Sequence, residues 1–127
     1  MLSLSQSKAT TILPVKDLGR ARTFYESKLG FSNPTPKPDG ALVYDLPHFS
    51  VALLPREGGT RAEHTALSFE VSDIAEGVRT LERAGVVFED YDLPGLKTVE
   101  HVCDLEGERC AWFRDTEGNY LCLHQNR

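Results

Sequence analysis

Two side chains between His64 and Gly85 are of types that could move a proton. His64 and Glu70 fall on one face of a strand in which Thr65, Leu67, Phe69 and Val71 alternate with His64, Ala66, Ser68 and Glu70, the period of a sheet with an apolar and a more polar side. An imidazole titrates near neutrality and a carboxylate accepts protons, so His64 and Glu70 are the candidate catalytic pair for acid–base chemistry. A second alternation, Tyr120, Cys122 and His124 against Leu121 and Leu123, adds a thiol and a second imidazole. A divalent ion needs at least three protein donors even at a catalytic zinc, and His64 with one thiolate falls short. His124 adds a third donor only if its strand bulges, because residues two apart on a strand are separated by roughly 6.5 Å. His101 and Cys103 lack a zinc-like partner spacing. Each residue also has a structural reading: His64 as a hydrogen-bonded strand histidine, Cys122 as a small buried apolar residue.

The elements that must position these groups are legible around them. After the strand, Asp73 is placed to cap a helix, Glu76 stands three residues on in capping-box position, and Ile74, Val78 and Leu81 form the apolar stripe. Gly85 supplies the left-handed residue that ends it. The unit recurs upstream at an offset of 56, where Val15, Asp17, Leu18, Ala21 and Tyr25 match Val71, Asp73, Ile74, Gly77 and Leu81, and Gly30 closes the first helix. Two copies are too few for a solenoid, so they must bury their faces on each other or on a partner.

The remaining chain fills in strands. Ala41 to Leu46 and Phe49 to Leu54 flank Pro47-His48, and 56–63 connects the halves. Asn33 to Gly40, with three prolines, is expected to be a loop, and Phe31 to begin a short strand. Val86 to Tyr91 is expected to be a strand, and 92–106 irregular, a binding loop or lid with a short hairpin about Glu106-Gly107. Arg109 to Arg114, the turn Asp115 to Asn119, and Tyr120 to His124 form a closing hairpin.

Size and charge exclude several classes. A chain of 127 residues is expected to be one domain, able to bury a core without staples. Fourteen basic against nineteen acidic residues, interspersed, leave a net charge of −5 and no basic patch, which argues against nucleic acid. Leu2 and Leu4 are interleaved with polar residues, so neither an export signal nor a membrane span is expected, and the cytoplasm is the default location. Three cysteines without Cys-x-x-Cys spacing point to reduced thiols.

Strand, helix, then three strands, twice over, together with Ile12 to Tyr25, Leu29-Gly30-Phe31 and Phe113 to Asn119, resembles the vicinal oxygen chelate superfamily of glyoxalase I, extradiol dioxygenases and bleomycin-resistance proteins. The resemblance implies an α+β fold of two βαβββ modules, about 9–55 and about 64–125, whose mixed sheets curl into a cup with the helices outside. It implies that Thr10, His64 and Cys122 occupy three of the superfamily's four metal-ligand positions, and Phe49 to Pro55 offers no acid, amide or histidine for the fourth. One familiar ligand in four leads to the expectation of no conventional metal site and no required cofactor, with a divalent metal as the alternative. The expected ligand-binding wall is Thr10, His64, Ser68, Trp112, Tyr120 and Cys122, holding a small organic molecule. The alternative function is a metal-dependent lyase or dioxygenase. The resemblance further implies a homodimer, with the cup completed or abutted across a two-fold interface.

Overall fold

The computed structural model describes residues 2–127. Strand β1 (Thr10–Val15) leads into helix α1 (Leu18–Ser27), then β2 (Thr35–Pro36), β3 (Leu42–Asp45) and β4 (Ser50–Pro55). The second unit runs β5 (Thr65–Glu70), α2 (Ile74–Arg83), β6 (Asp92–Leu93), β7 (Leu96–Val99), β8 (Val102–Leu105), β9 (Glu108–Arg114) and β10 (Tyr120–Asn126). The strands form two mixed sheets, ordered β1-β4-β3-β2 and β5-β10-β9-β8-β7-β6, which do not close into a barrel. In each sheet the first and last strands of the unit are parallel, β1 with β4 and β5 with β10, and the remaining pairs are antiparallel.

The helices start where side-chain oxygens replace missing backbone partners. Asp17 Oδ1 accepts from the Arg20 amide at 3.0 Å and Asp73 Oδ1 from the Glu76 amide at 3.1 Å. Glu76 does not complete the reciprocal half of a capping box; its carboxylate bonds Arg79, Thr80 and Arg83 along the exposed face instead. Both helices end on glycines with left-handed φ, Gly30 at 81° and Gly85 at 98°. Gly77 serves closeness: a Cβ there would lie 3.2 Å from Leu123 Cδ1, so its absence lets α2 seat on β10.

One contiguous core runs under both helices. Leu13, Val15, Val51 and Leu53 of the first sheet meet Ala21, Phe24 and Tyr25 of α1, while Ile74 and Val78 of α2 cover Ala111, Phe113, Leu121 and Leu123. Four sequence expectations are corrected. Phe31 begins no strand: its amide donates to the Tyr25 carbonyl at 3.0 Å in the turn that follows α1, and its ring packs on Tyr25 and Tyr44. Thr35–Pro36 is a strand inside the proline-rich segment, tolerated because it is the sheet edge, where a missing N–H costs no ladder bond. Val86 to Tyr91 makes only the Phe88–Phe113 bridge, because β8 already occupies part of that edge of β9. The segment 92–106 is largely strand, β6 to β8, and the Glu106-Gly107 turn joins β8 to β9.

A polar clasp joins the two units. The turn after β9 buries Asp115, Glu117 and Asn119. Asp115 Oδ2 accepts from the Tyr25 hydroxyl at 2.6 Å, and its Oδ1 takes the Glu117 and Asn119 amides of its own turn. Glu117 Oε1 accepts from the Lys16 and Asp17 amides at 2.9 and 2.8 Å, and Arg20 Nε donates to Oε2 at 2.8 Å. Asn119 Nδ2 reaches the Pro14 carbonyl at 3.0 Å. Burial alone would raise the Glu117 pKa, but the Arg20 guanidinium, the two amides and the Thr116 hydroxyl outweigh it and hold the carboxyl at about 2. Burial first, then the Asp115 carboxylate, pushes the Tyr25 phenol far above its ordinary value, so it remains a donor.

Glu117 therefore binds fewer protons folded than unfolded, and stability is present above about 4.5 and lost as pH falls toward about 2. Because Arg20 is half exposed, solvent screening reduces the contribution to about 2 kcal/mol. Urea denaturation should show Glu117→Gln destabilised by about that amount at pH 7, with the difference from the parent shrinking below pH 4. Tyr25→Phe, which leaves Asp115 one donor short, should cost about 1 to 2 kcal/mol at every pH in the same assay.

Candidate functional site

A bulge decides which residues of β5 share the open face of the second sheet. Tyr120 of β10 pairs with Thr65, but the next residue, Leu121, pairs with Leu67, so Ala66 is extra and the parity of the strand changes there. Thr65 thereby joins Ser68 on the face of Trp112 and Cys122, whereas Ala66 packs against the core. Alternation alone puts Ala66 on the open face and Thr65 under the helix; the bulge reverses both. Cross-strand register then lays out two rows, Ser68–Cys122–Trp112 and Glu70–His124–Cys110–Cys103.

This face holds two adjoining recesses with a shared wall of Thr65 and Trp112. One, of about 430 Å³, is lined by His64, Tyr91, Leu96 and Tyr120; the other, of about 330 Å³, by Ser68, Glu108, Cys110, Cys122 and His124. Trp112 is fixed by its indole N–H, which donates to Thr65 Oγ1 at 3.2 Å, and by Tyr91, whose ring meets it edge-on at 5.7 Å. The Arg114 guanidinium lies 5.6 Å from the centre of the Tyr120 ring. Ser68 Oγ is 2.6 Å from His124 Nδ1, and Glu70 Oε1 stands 3.8 Å from His124 Nε2 while accepting from Asn126 at 2.8 Å.

Of the residues expected from the sequence, His64 and Tyr120 line the first recess, Ser68 and Cys122 the second, and Trp112 both. Thr10 lines neither; it is exposed on β1, opposite Ser50 in the other sheet. His64 and Glu70 are not brought together, since six residues of extended chain separate them by roughly 20 Å. The imidazole beside Glu70 is His124. Sequence reasoning missed Thr65, Tyr91 and Cys110: alternation turned Thr65 the wrong way, and Tyr91 ends a segment expected to be a strand that forms only the Phe88–Phe113 bridge. Cys110 was legible, because it stands two residues before Trp112 within the expected strand Arg109 to Arg114 and so shares its face.

The donor set of the superfamily's metal position is dispersed. His64 and Cys122 line different recesses, Thr10 is on the other sheet, and among the described residues no three His, Cys, Asp or Glu side chains are grouped to hold an ion. A further cavity of about 550 Å³ opens on the helix side between the two units, walled by Phe31, Phe49, Phe69, Leu81, Phe113 and Leu123. None of the expected site residues reaches it.

All three cysteines are buried and free. Burial, then the neighbouring Cys122, pushes the Cys110 thiol up to about 12, and burial also raises Cys122 above its ordinary value although the nearby Ser68 hydroxyl opposes it. Both are thiols, not thiolates, at neutral pH. Ellman's reagent at pH 8 should therefore label Cys110 and Cys122 at least a hundredfold more slowly in the native protein than in guanidinium, where three thiols per chain should react promptly.

The comparisons with known proteins agree with this geometry. Comparison with curated proteins finds no match. Among solved structures, TnmS3, an antibiotic binding protein from Streptomyces sp. CB03234, is 21% identical over 96% of this chain and 97% of its own, with a TM-score of 0.72. A glyoxalase/bleomycin resistance protein/dioxygenase from Nocardioides is 17% identical over 99% and 86%, with a TM-score of 0.68. Lactoylglutathione lyase from Agrobacterium tumefaciens is 18% identical over 94% and 93%, with a TM-score of 0.66. At such identities these likenesses show the fold. The family model matches residues 8–123, nearly the whole chain, and with the two capped strand–helix units and the paired mixed sheets it establishes that this chain belongs to the Glyoxalase/Bleomycin resistance protein/Dioxygenase superfamily.

Proposed function

We propose that the chain binds a small organic molecule against Trp112, in the paired recesses of the second sheet, by ring contact and hydrogen bonding and without a divalent metal at the superfamily's conventional position. The observation that carries this reading is the fixed indole of Trp112 between two recesses, with hydroxyl, thiol and imidazole groups within a few residues of it. Concave, largely apolar surfaces with a few convergent polar groups are the usual form of small-molecule sites. An aromatic guest can lie against Trp112 and Tyr120, and Glu63, Glu108 and the net charge of −5 favour a neutral or cationic one. The name of TnmS3 describes an antibiotic binding protein, which is consistent with this class of ligand.

The donor chemistry disfavours the metal reading. A threonine hydroxyl is a poor neutral ligand, and one imidazole in one recess with one thiol in the next falls short of the three protein donors such an ion needs. The reading includes a homodimer: Ile12, beside Thr10 on the same face of β1, is 59% exposed, and a second copy docking there would cover it and bring Thr10 toward the partner's recesses. Three buried reduced thiols accord with the cytoplasm.

Trp112 is the only tryptophan, so its fluorescence reports this site alone. Titration with flat aromatic amines should quench it saturably, and Tyr120→Ala should weaken the apparent affinity about tenfold, corresponding to about 1.4 kcal/mol. Ligands that raise Tm without touching the fluorescence would place binding in the phenylalanine-walled cavity instead. Elemental analysis of protein grown with nickel, zinc, iron and manganese should find well under one equivalent. His64→Ala should leave that result and the melting temperature unchanged; one equivalent lost with His64 would restore the metal-dependent lyase or dioxygenase.

A further inference from the structure

We infer that Ser68 is a nucleophile, with His124 as its base and Glu70 as the residue that positions the base, and that the recess they line can be acylated by small activated esters. This rests on the proposed function only in sharing the Trp112 wall. The three residues come from adjacent strands. Ser68 and Glu70 are two apart on β5, and His124 stands opposite Glu70 on β10, so all three lie on one face. Ser68 Oγ is 2.6 Å from His124 Nδ1, within the range of a strong O–H···N bond, and Ser68 is exposed at the mouth of the recess.

The charge beside the ring selects its tautomer. An ionised carboxylate only accepts, so Glu70, 3.8 Å from Nε2, favours the proton on Nε2 and leaves the Nδ1 lone pair toward Ser68. Asn126 Nδ2, donating to Glu70 Oε1 at 2.8 Å, holds the carboxylate from its far side. An imidazole with one nitrogen on a hydroxyl and the other toward an acid is the arrangement that activates serine in unrelated folds, recognised by geometry and role. The other titratable groups facing His124 are Glu108 and Cys110 of β9 and Cys122 of β10. Burial keeps both thiols protonated, so neither competes as a thiolate.

The reaction follows from these groups. Ser68 Oγ bonds to the ester carbonyl carbon as its proton passes to His124 Nδ1; the tetrahedral species collapses, the bond to the leaving oxygen breaks, and His124 returns the proton to that oxygen. Water, deprotonated by His124, then adds to the acyl carbon, the bond to Ser68 Oγ breaks as His124 returns the proton to that oxygen, and the carboxylic acid leaves. A recess of about 330 Å³ suits an acetyl or short aromatic acyl group.

The full chain incubated with p-nitrophenyl acetate at neutral pH should give a burst of p-nitrophenol and an acetyl group on the Ser68 peptide by mass spectrometry. Ser68→Ala should abolish that adduct, His124→Gln should slow the burst at least tenfold, and Glu70→Gln should displace the pH profile of acylation while Glu70→Asp restores part of it. Circular dichroism of each variant separates loss of chemistry from loss of fold. Acetyl groups on lysines or cysteines only, or an unchanged burst in Ser68→Ala, would overturn the inference. Fluorescence quenching of Trp112 by aromatic amines, measured on the same proteins, keeps the two readings apart: quenching with no acylation sinks this one alone, and acylation with no quenching sinks the binding proposal alone.

Discussion

Glu117 has no exposed side-chain surface, yet it is ionised, and the arrangement of both halves depends on how that charge is satisfied. It sits in the turn of the last hairpin but spends its oxygens on the start of the first helix, taking the amides of Lys16 and Asp17 and the guanidinium of Arg20. A carboxylate at the positive end of a helix dipole is favourable, and here it also substitutes for the partners that a helix start lacks. Beside it Asp115 receives Tyr25 and Asn119 receives Pro14 as acceptor, so residues about a hundred positions apart are locked. A buried charge is specific because a misplaced one is so costly: shifting one unit relative to the other would strand Glu117 without its donors.

That clasp fixes the end of β10, and the position of β10 fixes the site. Its first residue, Tyr120, pairs with Thr65, while the rest of the strand pairs one step out of phase, leaving Ala66 as the bulged residue. Below the bulge Leu121 and Leu123 stay in the core beneath α2; above the sheet the same strand shows Cys122 and His124. One inserted residue thus lets Thr65 support Trp112 without turning Leu67 and Phe69 out of the core, the kind of re-aiming for which bulges are used.

The open face sets thiols, hydroxyls and an imidazole beside the carboxylates of Glu63, Glu70 and Glu108. Thiols raised by burial, a hydroxyl held on an imidazole and a ring fixed by two contacts present a surface on which an organic molecule can rest and be oriented. One fold hosts unrelated functions, and what a chain does with it is decided by the side chains of the site it carries. Thr10, His64 and Cys122 are spread over two sheets and two recesses.

By itself the sequence determined most of what depends on short-range rules, the reciprocal half of the capping box at Glu76 excepted. The caps Asp17 and Asp73, the glycines that end both helices, the apolar stripes and the repeat at 56 residues were legible because each is a local contest between backbone and side chain, or a period of the chain against one apolar face. The strand at Thr35–Pro36 was not, because proline is excluded only where its N–H would be needed, and only the sheet decides which strand is the edge. The side on which Thr65 stands was not, because a bulge in a parallel ladder is set by the partner strand. Nor was the pairing of Glu70 with His124 instead of His64: alternation places all three on polar faces, but which imidazole meets the carboxylate follows from the register of β5 against β10, a long-range fit that the packed core and the Glu117 clasp hold in place.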